Sequence, residues 1–183
     1  MKSFKFIFSV ILLVFGFNMF GTSASAEEGN DLEILTFEEL SSEDKELFME
    51  EGFAEEDTFF KENITMSDTS SKGFAPASNL IATVVGSTRR EMIYRAKSTY
   101  KVTSFTSVMR HISMRTTASG GGIIRNATTT SSPNARRAVM STNILYHGPA
   151  NYFNFRGNTQ ITTSSGVAGA VFSLASGGTT LGF

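Results

Sequence analysis

The chain has 183 residues, is 40% hydrophobic and 18% charged, and carries a formal net charge of −1. It contains no cysteine, which excludes a disulfide framework, a thiolate metal site and a cysteine nucleophile. The apolar fraction excludes a wholly disordered chain, and the length suits one domain with attachments.

The first segment reads as an export signal. Lys2 and Lys5 form a short basic start, Phe6 to Phe20 is mostly apolar, and Ala24-Ser25-Ala26 supplies the small residues of a signal-peptidase site. The apolar run is about 15 residues, short of the roughly 20 that a membrane-spanning helix needs. Residues 1–26 are therefore expected to be a signal peptide cleaved after Ala26, leaving a secreted protein. Small secreted domains in disulfide-forming compartments usually carry cross-links, so export without cysteine fits a bacterial source. The Asn63-Ile64-Thr65 and Asn126-Ala127-Thr128 sequons are then chance matches.

The net charge of −1 hides a partition. Residues 27–71 hold 16 Asp or Glu against Lys45 and Lys61, a net of −14. Residues 72–183 hold 12 Lys or Arg against Glu91 alone, a net of +11. Two adjacent blocks of opposite sign point to separate roles or to mutual attraction.

The acidic block reads as helical. Thr36 followed by Glu39 is a capping-box pattern. Ser41 or Ser42 can cap a second helix, with Glu43 and Asp44 in its positive first turn. Leu40, Leu47, Phe48 and Phe53 fall at helical spacing, and Gly52 stands where the helix should stop. A third short helix is expected over Ala54–Asn63. Met66–Ser78, rich in Ser, Gly and Ala, reads as a linker open to proteolysis.

The basic block reads as β-structure, with strands expected over Leu80–Val85, Met92–Val102, Val108–Thr116, Ile123–Thr130, Ala138–Tyr146, Tyr152–Phe155, Thr159–Thr163 and Val167–Leu174. Gly120-Gly121-Gly122 and Ser131-Ser132-Pro133-Asn134 are turn signals. The fold expected is mainly β: an antiparallel β-sandwich or barrel of about 6–8 short strands, preceded by an acidic helical segment and a signal peptide. The domain division is 1–26, 27–71 and 72–183.

Catalytic motifs are missing from the chain. It has neither G-x-S-x-G nor H-E-x-x-H, and the basic block offers only His111, His147 and Glu91 beside abundant serines. Both histidines read as ordinary strand or turn residues. Gly120–Gly122 lacks the Lys-Ser/Thr of a phosphate loop and reads as a hairpin turn. A non-enzymatic protein with no metal and no cofactor is expected.

The cations carry the functional signal. Arg89, Arg90, Arg95, Lys97, Lys101, Arg110, Arg115, Arg125, Arg136, Arg137 and Arg156 are spread along the strands, and arginine pairs well with carboxylate or phosphate. A surplus of +11 exceeds the magnitude of roughly 2–8 usual for a small domain. It points to an anionic partner: a membrane surface or a wall polymer. Nucleic acid is not expected, because export and the lack of a binding motif argue against it. The acidic segment of the same chain is a further partner, with Leu40, Leu47, Phe48 and Phe60 as its apolar contacts.

Two functions follow. One is an antimicrobial or toxin-like cationic β domain kept neutral by an acidic pro-segment until cleavage. The other is a cell-wall or matrix module that binds anionic polymers. A hydrolase with an unrecognised site is a weaker third. Arg156 is the last charged residue, and the uncharged Gly-rich tail after it fits either a core strand or a self-associating segment.

Overall fold

A computed structural model describes residues 32–67, 78–164, 166–170 and 178–183. The expected signal peptide 1–26 and residues 68–77 of the expected linker lie outside the described residues.

The chain is mainly β. In order it forms β1 (Glu33–Leu35), a 3₁₀ turn (Phe37–Glu39), α1 (Ser42–Glu50), β2 (Phe59–Ser67), β3 (Ser78–Met92), β4 (Arg95–Ser104), β5 (Met109–Gly120), β6 (Ile123–Ser131), β7 (Arg137–Leu145), β8 (Asn151–Thr163), β9 (Gly166–Ala170) and β10 (Gly178–Leu181). Two antiparallel sheets result. The first has the order β1-β2-β3-β4-β7, the second β10-β8-β5-β6, and β9 also pairs with β8. The sheets stack as a sandwich, so the barrel alternative is set aside.

Period-two alternation decides which side chains lie between the sheets. In β7, Ala138, Met140, Thr142 and Ile144 are buried while Arg137, Val139, Asn143 and Leu145 are exposed. One inner cluster joins Phe60, Ile64 and Val84 to Tyr100, Met114 and Ile161; a second joins Ile144, Tyr146, Phe153, Phe155 and Leu181. The Tyr100 hydroxyl lies 2.7 Å from Thr116 Oγ1, which lies 2.5 Å from Thr142 Oγ1. Burial pushes the Tyr100 phenol above its usual pKa, because the phenolate would lose its water.

The first sheet is covered on both faces. On its outer face, Phe59 and Val85 pack under Phe48 and Phe53 and beside Leu35, Phe37 and Leu40. Phe48 sits edge-on to Phe59 at 4.9 Å and to Phe53 at 5.5 Å. Ser41 caps α1 by accepting from the Asp44 N–H at 3.2 Å, and Gly52 ends it with a φ of 84°.

Several elements depart from the sequence reading. The expected helix over Ala54–Asn63 is instead a turn followed by β2, paired along its length with β3. Phe59 and Phe60 are consecutive and both buried, one under α1 and one between the sheets. Only a strand with apolar layers on both sides can bury neighbours in that way. The expected strand Met92–Val102 is broken by a turn at Ile93–Tyr94 that carries no Gly or Pro signal, and β3 extends far beyond Val85 to reach it. Tyr152–Phe155 and Thr159–Thr163 form one strand, β8; Gly157 between them faces inward opposite Thr116. In the tail, β9 and β10 pair with β8 of the same chain.

Three glycines are required, two by backbone conformation and one by packing. Gly121 and Gly122 both have positive φ, as the tight β5–β6 hairpin demands. A Cβ at Gly86 would lie 2.5 Å from Phe60 Cζ and 2.8 Å from Tyr100 Cδ1.

Candidate functional site

The strand order sorts the eleven cations into three groups. Arg89, Lys97, Lys101 and Arg137 lie on the outer face of the first sheet, where α1 sits. Lys101 Nζ pairs with Asp44 at 2.6 Å and Glu43 at 3.2 Å, and Arg137 pairs with Glu43 at 2.6 Å. Lys97 pairs with Glu51 at 2.6 Å and also donates to the Glu51 carbonyl at 3.1 Å. Arg89 lies over the Phe53 ring at 5.7 Å. Lys61 of the acidic stretch pairs internally with Glu33 at 2.9 Å.

The segment that carries these carboxylates is built into the sheet. Leu40 and Phe48 lie in the apolar cluster beneath it, with Leu47 partly buried against that cluster. Phe60 faces the other way, between the sheets, with its ring 6.1 Å from Tyr100. A groove of about 430 Å³ remains between the start of α1 and the sheet, lined by Glu33, Leu35, Asp44, Lys61, Lys101 and Phe105. Its lysines are already paired with its carboxylates, so it holds little net attraction for an anion.

The second group sits at the two ends of the sandwich. Arg90, Arg95 and Arg125 flank the β3–β4 and β5–β6 turns. Arg90 donates to the Thr180 carbonyl at 3.3 Å, Arg95 pairs with Glu91 at 2.8 Å, and Arg125 lies over the Tyr146 ring at 5.7 Å. Arg110, in the β5 bulge, and Arg136, in the β6–β7 connection, are exposed at the opposite end.

The third group is Arg115 and Arg156, on the outer face of the second sheet. Arg115 stands opposite Asn158 and Thr128, and Arg156 opposite Thr117. The two guanidinium groups are thus diagonal neighbours on adjacent strands, with Cα atoms about 7–8 Å apart. Both are exposed, and among the described residues no carboxylate pairs with either. Their surroundings are uncharged hydrogen-bonding side chains, including Ser113, Asn126, Asn154 and Gln160. β5, β6, β8, β9 and β10 contain no Asp or Glu at all. The sequence names both arginines, but it cannot show that they share a face or that Arg95, Lys97, Lys101 and Arg137 are matched by carboxylates.

His111 lies near the Arg110 end opposite Thr162, while His147 stacks on Tyr94 at 4.8 Å at the other end, so the two are not brought together. Among the described residues no three His, Asp or Glu side chains converge as a metal site would require. No described helix is long and apolar enough to cross a membrane. No known protein family, curated protein or solved structure matches the chain.

Proposed function

We propose that this is an exported binding module for anionic polymers of the cell envelope, and that the outer face of the second sheet is its binding surface. The observation that carries this reading is the Arg115–Arg156 pair on a face without acids, while the cations under α1 are matched by carboxylates. Guanidinium groups take phosphate or carboxylate in a bidentate way, and the surrounding amides and hydroxyls can bond neutral sugar or polyol units between the charges. Side chains on one face of a strand repeat every two residues, about 6.8 Å, which suits a repeating ligand.

The alternative is a toxin-like domain freed by cleavage of an acidic pro-segment. It would require β1, β2 and α1 to leave the first sheet, uncovering Val85 and removing Phe60 and Ile64 from the inner core. That cost favours the binding module.

The test is retention on purified cell walls before and after chemical removal of their phosphate polymers. The chain from Glu27 onward, which contains every described residue, should bind intact walls in a salt-sensitive way. Arg115→Gln with Arg156→Gln should weaken retention roughly tenfold or more, given about 1.5–3 kcal/mol for each charged hydrogen bond lost. Arg137→Gln, whose charge Glu43 already meets, should change it little. Equal retention of the double variant and the parent would overturn the proposal.

A further inference from the structure

The end of the sandwich formed by the β3–β4 turn, the β5–β6 turn and the β7–β8 loop carries a second feature. Twelve large apolar side chains are exposed among the described residues, and six lie at this end: Met92, Ile93, Ile124, Leu145, Tyr152 and Phe183. They come from both sheets. The strand directions place them at one end, since β3, β5, β7 and β10 all run toward it, with Met92 and Leu145 on the α1 side of the first sheet and Ile124 and Tyr152 on the outer face of the second. Met92, Arg95 and Leu145 share one row across three strands, and Tyr152 stands opposite Thr180. Met92, Ile93, Leu145 and Phe183 are linked through the Met92–Arg95–Leu145 row and the Gly182–Ile93 hydrogen bond, and exposed apolar side chains gathered in one place mark contact sites.

The loops at this end are hydrogen-bonded to one another. The Tyr146 N–H donates to the Tyr94 carbonyl at 2.9 Å and the Gly182 N–H to the Ile93 carbonyl at 2.8 Å. The Phe183 N–H donates to Gly148 O, and the Ala150 N–H to Phe183 O, both at 3.0 Å. The Tyr94 ring stacks with His147 at 4.8 Å and with Phe183 at 6.3 Å, with interplanar angles of 25° and 26°. Each of these bonds pairs a backbone donor and acceptor that would otherwise lose water when this end meets an interface. Rings with a polar edge, such as Tyr94 and Tyr152, suit the boundary between headgroups and acyl chains.

The charge at this end selects the kind of surface. Arg90, Arg95 and Arg125 face a single carboxylate, Glu91, which Arg95 already pairs. An anionic surface attracts such arginines, each contributing about 1 kcal/mol close to it. We infer that this end is a membrane-contact surface that seats on an anionic lipid bilayer, with the apolar side chains in the interface and the arginines at the phosphates. Its apolar row of Met92, Ile93, Leu145 and Phe183 is distinct from the Arg115–Arg156 pair, and the inference does not depend on the polymer reading.

The experiment is co-sedimentation of the chain from Glu27 onward with vesicles of phosphatidylglycerol and phosphatidylcholine, against vesicles of phosphatidylcholine alone. The parent should partition to the anionic vesicles. Ile93→Ser with Leu145→Ser, at side chains 49% and 51% exposed and so replaceable without opening the core, should lower partitioning about tenfold. Arg90→Gln with Arg125→Gln should remove the preference for anionic lipid. Arg115→Gln with Arg156→Gln should bind vesicles like the parent, and the Ile93/Leu145 variant should still bind cell walls, so the two surfaces are judged separately. Absence of parent binding, or equal binding by the Ile93/Leu145 variant, would overturn the inference. So would a parent dimer that this variant dissociates while neither form binds vesicles, because a second copy would then be the occupant.

Discussion

Lys101 Nζ and Asp44 Oδ1, 57 positions apart in the chain, meet at 2.6 Å with side chains only 8% and 13% exposed. The contact sets the register of α1 on β4. Asp44 to Glu51 spans seven residues of helix, about 10.5 Å, and their partners Lys101 and Lys97 are four strand residues apart, about 13 Å. Both ends of one helix therefore find cations on one strand. The acidic and basic halves of the sequence are complementary in position as well as in sign.

Removing Asp44 should cost more than removing Glu43, although both touch Lys101. Asp44→Asn leaves a buried ammonium with one partially exposed carboxylate and should lower stability by about 1–3 kcal/mol in urea denaturation. Glu43 is 52% exposed, and Glu43→Gln should cost about 1 kcal/mol or less. Equal costs would show that the Lys101–Asp44 contact does not anchor the helix.

Phe48 is fully buried against two rings, so Phe48→Ala should cost about 3–5 kcal/mol. Met49, next to it in sequence and exposed, should tolerate alanine within about 0.5 kcal/mol. Denaturation midpoints of the two variants make the comparison directly.

Gly86→Ala tests how tightly β2 is held. The new methyl would press on Phe60 of β2 and Tyr100 of β4, and the overpacking should cost about 1–3 kcal/mol. Gly86→Ala with Phe60→Leu should recover part of that loss. No recovery would place the strain elsewhere.

A cut within residues 68–77 should leave the two pieces together. β2 pairs with β3 from Phe59 to Ser67, and its phenylalanines fill two apolar layers. With a specific protease site inserted there, the fragments should co-elute in size-exclusion chromatography without denaturant and separate in urea. Spontaneous release of the acidic fragment would restore the pro-segment reading.

Alkaline pH should weaken the fold through Tyr100. Its phenol is raised in the folded state above the ordinary value of 10, so the folded protein keeps a proton that the unfolded chain gives up. The stabilisation is full below the unfolded value and is lost as pH rises through the folded one. Urea midpoints should fall as pH rises above the ordinary phenol value of about 10, and Tyr100→Phe should flatten part of that slope. At the acid end, Glu39 is held below its ordinary 4.5 because its carboxylate accepts the Thr36 N–H and hydroxyl. Its contribution is present above that value and fades as pH falls through the lowered one.

What the sequence determined by itself was local. Alternation in Ala138–Tyr146, the glycines at 120–122 and the Ser41 cap each depend on near neighbours, and each appears where its pattern predicted. The charge partition was equally plain, because it needs only counting. Tertiary structure decided the rest. Phe59–Phe60 reads as part of a helix until apolar layers on both faces make it a strand. The eleven cations look alike in sequence; strand order brings four to the α1 side, three of them matched by carboxylates, and leaves Arg115 and Arg156 open on the opposite face. Which charge finds a partner is a relation between residues distant in the chain, and only the folded arrangement of the two sheets defines it.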